Sequence, residues 1–236
     1  MLELQAREKL IVALDFPTEE KARVLVQKLG DAVSVYKVGK ELFTAAGPAF
    51  VRELVAGRKS VFLDLKFHDI PNTVAGAVRS AAALGVSMLT VHASGGSQML
   101  RAATEAAAQS PGWPKVLAVT VLTSMDAAAM EEVGMIADVE AQVLHLAGLA
   151  IKCGCGGLVA SAKEAAHLRQ ALGDGFTLVT PGIRPAGSDV GDQARVVTPA
   201  DAIRAGADYL VVGRPITAAE NPAAAARAIL RQIELT

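Results

Sequence analysis

The segment Asp64-Leu-Lys66-Phe-His-Asp69-Ile70-Pro-Asn-Thr73 brings two carboxylates and an ammonium close together in the chain. Positions i and i+2 of a strand share a face, so Asp64 and Lys66 project together. An ammonium between carboxylates stays protonated and is a poor nucleophile. If the shared face turns inward, the charges must be paired, because burying an unpaired charge is costly. A solvated strand end with an incidental ion pair is the simpler reading of this segment alone. Other apolar runs end in the same way, with Asp15 in Leu-Ile-Val-Ala-Leu-Asp-Phe, Lys37 in Val-Ser-Val-Tyr-Lys-Val-Gly and His92 in Leu-Thr-Val-His-Ala. Several independent strands would thus put Asp15, Lys37, Asp64, Lys66 and Asp69 on one rim as a mutually paired cluster. His92 reads equally as a substrate contact or as a histidine satisfied behind the site.

A second constellation suits an anion. Thr180-Pro181-Gly-Ile-Arg184 and Val212-Gly213-Arg214 each set an arginine close to a glycine. The planar guanidinium can grip phosphate oxygens, and a glycine lets backbone N–H groups come close. A lone arginine is usually a surface residue; two in adjacent units make a phosphate site. Cys153-Gly-Cys-Gly-Gly157 precedes a strand instead of following one, so it is no dinucleotide loop. No Walker loop, HExxH or GxSxG pattern occurs, and no cluster with metal-ligand spacing calls for a metal.

These residues need elements to hold them. Short β-branched runs alternate with Ala-rich segments of helical period, and the spacing predicts strands over 10–16, 33–39, 60–66, 86–92, 115–122, 157–161, 176–180 and 207–213. Thr18 with Glu19 and Glu20 reads as a helix N-cap, and Pro71 and Pro222 suit first turns. Gly30, Gly57, Gly85, Gly173 and Gly206 fall where helices should stop. Eight βα units over 236 residues fit a single-domain (β/α)8 TIM barrel over 1–236, with a doubly wound open sheet as the alternative. In such barrels active sites form at the strands' carboxyl ends, and phosphate is often bound by the loops after strands seven and eight. Two long connections, 123–137 and 181–198, invite functional roles, the second as a lid.

Composition excludes other classes. Hydrophobic residues are 52% and charged ones 20%, enough for a large core and unlike a disordered chain. With 23 Lys+Arg against 24 Asp+Glu and no basic block, nucleic acid is not the expected partner. No apolar stretch reaches the roughly 18 residues of a membrane span, and the N-terminal residues lack a secretory pattern. Cys153 and Cys155, the only two cysteines, make no disulfide framework; reduced thiols and a cytoplasmic location are expected.

Taken together, the residues resemble the orotidine 5′-phosphate decarboxylase family. Its Asp-x-Lys-x-x-Asp-Ile-x-x-Thr signature matches at Asp64, Lys66, Asp69, Ile70 and Thr73, supported by Asp15, Lys37, Thr-Pro181-Gly-Ile-Arg184, Gln193 and Gly213-Arg214. The matches run from residue 11 to residue 217. The resemblance implies cofactor-free decarboxylation of orotidine 5′-phosphate to UMP, with Lys66 as proton donor to C6 between Asp64 and Asp69. It also implies that Asp15 and Lys37 bind ribose hydroxyls, that Thr123 contacts the pyrimidine and that Arg184 and Arg214 hold the phosphate. Gln193 is implied to bridge lid, phosphate and base. Asp69 and Thr73 are implied to enter the neighbouring subunit's site, which makes the enzyme a homodimer. The stretch Ser124-Met125-Asp126 departs from the family pattern. Magnesium-dependent sugar-phosphate lyases of the same suprafamily share the Asp-x-Lys-x-x-Asp core but carry an acidic metal ligand where Lys37 stands. A Schiff-base aldolase and a barrel that only binds a phosphate ligand are further readings.

Overall fold

The computed structural model of the protein describes residues 6–185 and 197–236. Eight parallel strands, β1 (Leu10–Ala13), β2 (Val35–Gly39), β3 (Ser60–Phe67), β4 (Met88–His92), β5 (Lys115–Val119), β6 (Gly157–Val159), β7 (Thr177–Thr180) and β8 (Tyr209–Val212), form a closed barrel in chain order. Closure comes from β1 pairing with β8, with Ile11 opposite Val211. That pairing rules out the open sheet. All eight strands fall inside or within a residue of the sequence expectation, and four of them, β1, β5, β6 and β8, stop earlier at the carboxyl end. The residues beyond those ends form the mouth.

Strand periodicity divides the core in two. Ile11, Ala13, Val35, Phe62, Met88, Leu117, Val179 and Val211 pack together inside the barrel. The alternate residues, such as Leu10, Val12, Val38, Leu63 and Leu89, pack outward against the helices. On β1–β4 the inward stripe runs up to the mouth, where its next member is Asp15, Lys37, Asp64 or Thr90.

Each strand is followed by a helix: α1 (Glu19–Leu29), α2 (Lys40–Ala56), α3 (Pro71–Ala82), α4 (Gly96–Ala108), α5 (Val139–Lys152), α6 (Ala162–Leu172), α7 (Pro199–Arg204) and α8 (Pro222–Glu234). Thr18 caps α1, accepting from Lys21 N, and Pro71 and Pro222 open α3 and α8. Gly30, Gly57 and Gly173 stand at the C-caps of α1, α2 and α6; Gly85 and Gly206 follow the caps Ala83 and Ala205. Two features depart from the sequence expectation. The long connection after β5 folds part of itself into a helix, Ala127–Glu132, capped by Asp126, whose carboxylate accepts from Ala129 N at 2.9 Å. α2 is kinked at Gly47, whose φ of 66° precedes Pro48.

Candidate active site

At the carboxyl end of the barrel lies a cavity of about 490 Å³. Its lining contains Asp15, Lys37, Asp64 and Lys66 from β1–β3, and Thr123, Pro181, Arg184, Gly213 and Arg214 from the loops after β5, β7 and β8. Val119, Val159 and Val211 line its inner wall. Nine of the residues singled out from the sequence therefore meet in one place.

The charges form a chain. Asp15 Oδ1 accepts from Lys37 Nζ at 2.7 Å, Lys37 Nζ stands 3.8 Å from Asp64 Oδ2, and Lys66 Nζ donates to Asp64 Oδ1 at 2.9 Å and Oδ2 at 2.8 Å. Thr90 Oγ1 donates to the same Asp64 Oδ1 at 2.9 Å. Burial alone would raise the Asp64 carboxyl, but the charges of Lys66 and Lys37 and the hydrogen bonds from Lys66 and Thr90 outweigh it, holding the group below the ordinary range. Asp64 is anionic and saturated with partners at neutral pH.

Asp64 and Lys66 do meet, although a regular pleat is not what brings them together. Leu63 pairs with Leu89 and Phe67 with Val91, so Asp64, Leu65 and Lys66 all lie opposite the single residue Thr90. This bulge puts Lys66 at φ +52°, a left-handed conformation that costs a non-glycine residue about 1–2 kcal/mol. Its N–H is turned onto Thr90 Oγ1 at 2.8 Å. Gly39 is a second requirement that the residue types alone conceal. A Cβ there would stand 2.9 Å from Lys37 Nζ and 3.0 Å from Asp15 Oδ1, inside the space of that ion pair.

Across the mouth, Arg184 is buried and its Nη1 donates to Ile183 O at 2.9 Å, while its backbone N–H bonds Val197 O at 3.0 Å. Gly182, at φ +76°, makes the turn between Pro181 and Arg184 that only glycine takes readily. Arg214 begins the short helix Arg214–Thr217, directly after Gly213. Among the described residues, a Cβ on Gly213 would meet nothing nearer than Ala13 Cβ at 3.9 Å, which leaves room beside the backbone there.

Three expected site residues are elsewhere. Asp69 does not join the paired rim: among the described residues it makes no ion pair with Lys66, and its Oδ1 accepts from Ile70 N at 2.6 Å. The chain leaves the barrel after Phe67 and turns outward to start α3 at Pro71, carrying Asp69 and Ile70 to a separate hollow with His68, Ser94 and Gln98. Ile70 is 67% exposed, and Thr73 is exposed on α3. Gln193 lies outside the described residues. His92 does not line the cavity; its ring stands 5.5 Å from that of His68. Burial, then the nearby charges of His68, Lys40 and Lys66 against the opposing Asp64, push it down to about 4, so its imidazole is neutral at pH 7. Cys153 and Cys155 are free and buried far along the chain from these residues, and burial, with Cys153 adding to it, pushes Cys155 up to about 12.

A closed barrel with a fixed Lys/Asp array facing two arginines across its carboxyl-end mouth defines a (β/α)8-barrel enzyme. Residues 8–229 match the model of the orotidine 5′-phosphate decarboxylase / HUMPS family, and the chain belongs to that family. It is 54% identical over 241 residues to orotidine 5′-phosphate decarboxylase of Moorella thermoacetica, covering 100% of this chain and 96% of the relative. It is 56% identical to the enzyme of that name from Halorhodospira halophila, covering 95% of each. Among solved structures, the orotidine 5′-phosphate decarboxylase of Lactobacillus acidophilus superposes with a TM-score of 0.85 at 42% identity, covering 95% of this chain and 98% of that one.

Proposed function

We propose that this chain removes CO2 from orotidine 5′-phosphate to give UMP in pyrimidine nucleotide synthesis, with Lys66 supplying the proton to C6. The observation that carries this reading is Lys66 Nζ, held within 2.9 Å of both Asp64 oxygens at the wall of a cavity whose far side presents Arg184 and Arg214. Curated relatives at 54% and 56% identity share the decarboxylase name, which favours it within a family that also includes sugar-phosphate lyases. Lys37 also speaks against the lyase reading, because a cation there repels the magnesium that those enzymes hold.

The chemistry follows from the charges. Breaking the bond from C6 to the carboxylate releases CO2 and leaves the electron pair in an sp² orbital in the ring plane, where the π system cannot absorb it. Lys66 Nζ then gives its proton to C6, forming UMP, and the neutral amine regains a proton from water. Repulsion between Asp64 and the departing carboxylate is too small to drive this. Two like charges about 4 Å apart are worth about 4 kcal/mol at an effective dielectric of 20, and Asp64 is already offset by two lysines. The most demanding enzymatic accelerations require about 20 kcal/mol. The larger share belongs to Lys66⁺ beside the developing carbanion and to phosphate binding that holds the substrate against it. Asp15 and Lys37 hold the ribose hydroxyls, Thr123 the base, and Arg184 and Arg214 the phosphate.

The site is shared between two subunits working in the cytoplasm. Asp69, Ile70 and Thr73 turn away from their own cavity, and the exposed Ile70 is a natural anchor for a second copy. Mixed dimers test this. Lys66→Ala and Asp69→Ala homodimers are each expected to be nearly inactive, whereas a mixed dimer carries both lesions at one site and none at the other. Random equal reassortment makes about half the dimers mixed and so restores about a quarter of wild-type activity. Mixed dimers as inactive as their parents would return Asp69 to its own subunit.

Loss of ultraviolet absorbance on adding orotidine 5′-phosphate, in the presence of EDTA, tests the activity. Turnover without added metal is expected. Turnover that requires Mg²⁺, or none with this substrate but some with a ketose phosphate, would favour the lyase reading.

A further inference from the structure

We propose that Thr90, in the middle of β4, is a positioning residue for the decarboxylation, its hydroxyl fixing both the carboxylate of Asp64 and the backbone of Lys66. A threonine in a buried strand ordinarily fills space, and its methyl suits a pleated surface. This one differs in what its hydroxyl touches. The side chain is fully buried, and Oγ1 lies 2.8 Å from Lys66 N and 2.9 Å from Asp64 Oδ1. The Lys66 N–H can only donate and the Asp64 carboxylate can only accept, so the hydroxyl proton has one direction left, toward Asp64. One atom therefore joins the two ends of the Asp64–Lys66 pair through a defined relay.

The strand register explains why such a tie is needed. Opposite Thr90, β3 holds three residues where a regular ladder would hold one, and the last of them, Lys66, has φ +52°. At this bulge the Lys66 N–H is turned toward β4, and a buried N–H without a partner is costly. Thr90 supplies that partner and so helps hold the left-handed turn that aims the lysine side chain back onto Asp64. On the same inward stripe of β4, Met88 belongs to the apolar interior. An apolar residue at 90 would continue that packing but leave the Lys66 N–H and one Asp64 lone pair unanswered. The inference rests on the decarboxylase reading, because it assigns Thr90 its work through Lys66 and Asp64.

Thr90→Val, Thr90→Ser and Thr90→Ala, assayed beside the wild type with orotidine 5′-phosphate, test it. Thr90→Val keeps the shape and removes the hydroxyl. Its kcat is expected to fall about 10–100-fold, the scale of a misplaced reacting group, with KM changed by less than about threefold. Without the hydroxyl donor Asp64 is easier to protonate, so the acid limb of the pH–rate profile should move to higher pH. Thr90→Ser should return kcat to within about threefold of wild type. Should the valine variant not fold, the Ser and Ala variants carry the test, since they differ by the hydroxyl alone. Wild-type kcat in Thr90→Val, an unmoved acid limb, or equal activity of the Ser and Ala variants would overturn the proposal. An inactive wild type would instead reject the decarboxylase reading.

Discussion

The two halves of the barrel mouth are built on different principles. From β1 to β4, every charged group facing the cavity is locked to another, from Asp15 through Lys37 to Asp64 and Lys66, at 2.7–3.8 Å. From β5 to β8, the strand wall is valine and alanine, and among the described residues charge enters from loops, on Arg184 and Arg214. The first half is an array organised before any ligand arrives, which suits a site where charge changes during reaction and little reorganisation is affordable. In the function proposed above, the second half grips a group that does not react. Energy from that grip lowers the barrier only by holding the reacting end in place. Lesions in the first half should therefore cost turnover, and lesions in the second should cost affinity.

The largest effect that separates the halves, apart from loss of the lysine itself, is expected from Asp64→Asn. Its shape is kept, but Lys66 and Lys37 lose their common anion, and turnover should fall about 10²–10³-fold. UMP affinity, measured by calorimetry, should change far less. A parallel fall in both would merge the two halves into one binding site.

Arg214→Ala should show the opposite signature. Charge-assisted hydrogen bonds to a partly buried phosphate contribute about 1.5–3 kcal/mol, so UMP binding should weaken about 10–150-fold while uridine binding stays nearly unchanged. Equal losses for nucleotide and nucleoside would place the phosphate elsewhere.

The smallest effect is one of stability. His92 is held neutral with its pKa lowered to about 4, against an ordinary 6.5. As pH falls through that window the unfolded chain binds a proton that the folded chain refuses, so stability declines on acidification and His92's part is complete near pH 4. Asp64 has the opposite charge type; its lowered pKa keeps its contribution until pH falls below the ordinary carboxylate range, near 3.8. Urea titrations at pH 7, 6 and 5 should show a shallower decline for His92→Asn than for wild type. An identical slope would mean that the ring is not held neutral.

Much of this division is legible in the sequence, because strand ends announce themselves. Apolar runs that close on Asp15, Lys37 and Asp64 locate the array, and arginines beside Gly182 and Gly213 locate the anchor. What stays hidden depends on pairing between strands. The bulge at Lys66 follows from the register of β3 on β4, which no local pattern encodes, and Thr90 inside Leu-Thr-Val reads as an ordinary strand former. Gly39 looks like a strand terminus until the Lys37–Asp15 pair is seen to fill the space of its Cβ. Asp69 reads as a third rim charge because its spacing from Lys66 is short, yet the chain has left the strand by then.

The most direct test of the account is the Lys66→Ala enzyme, with turnover and UMP affinity measured on one preparation. Removing the ammonium takes away both the proton and the charge that meets the carbanion, so decarboxylation should drop more than about 10⁴-fold. UMP affinity should stay within about tenfold, because the arginine half is untouched. Substantial remaining turnover, or UMP binding lost in step with it, would contradict the assignment of Lys66 as proton donor.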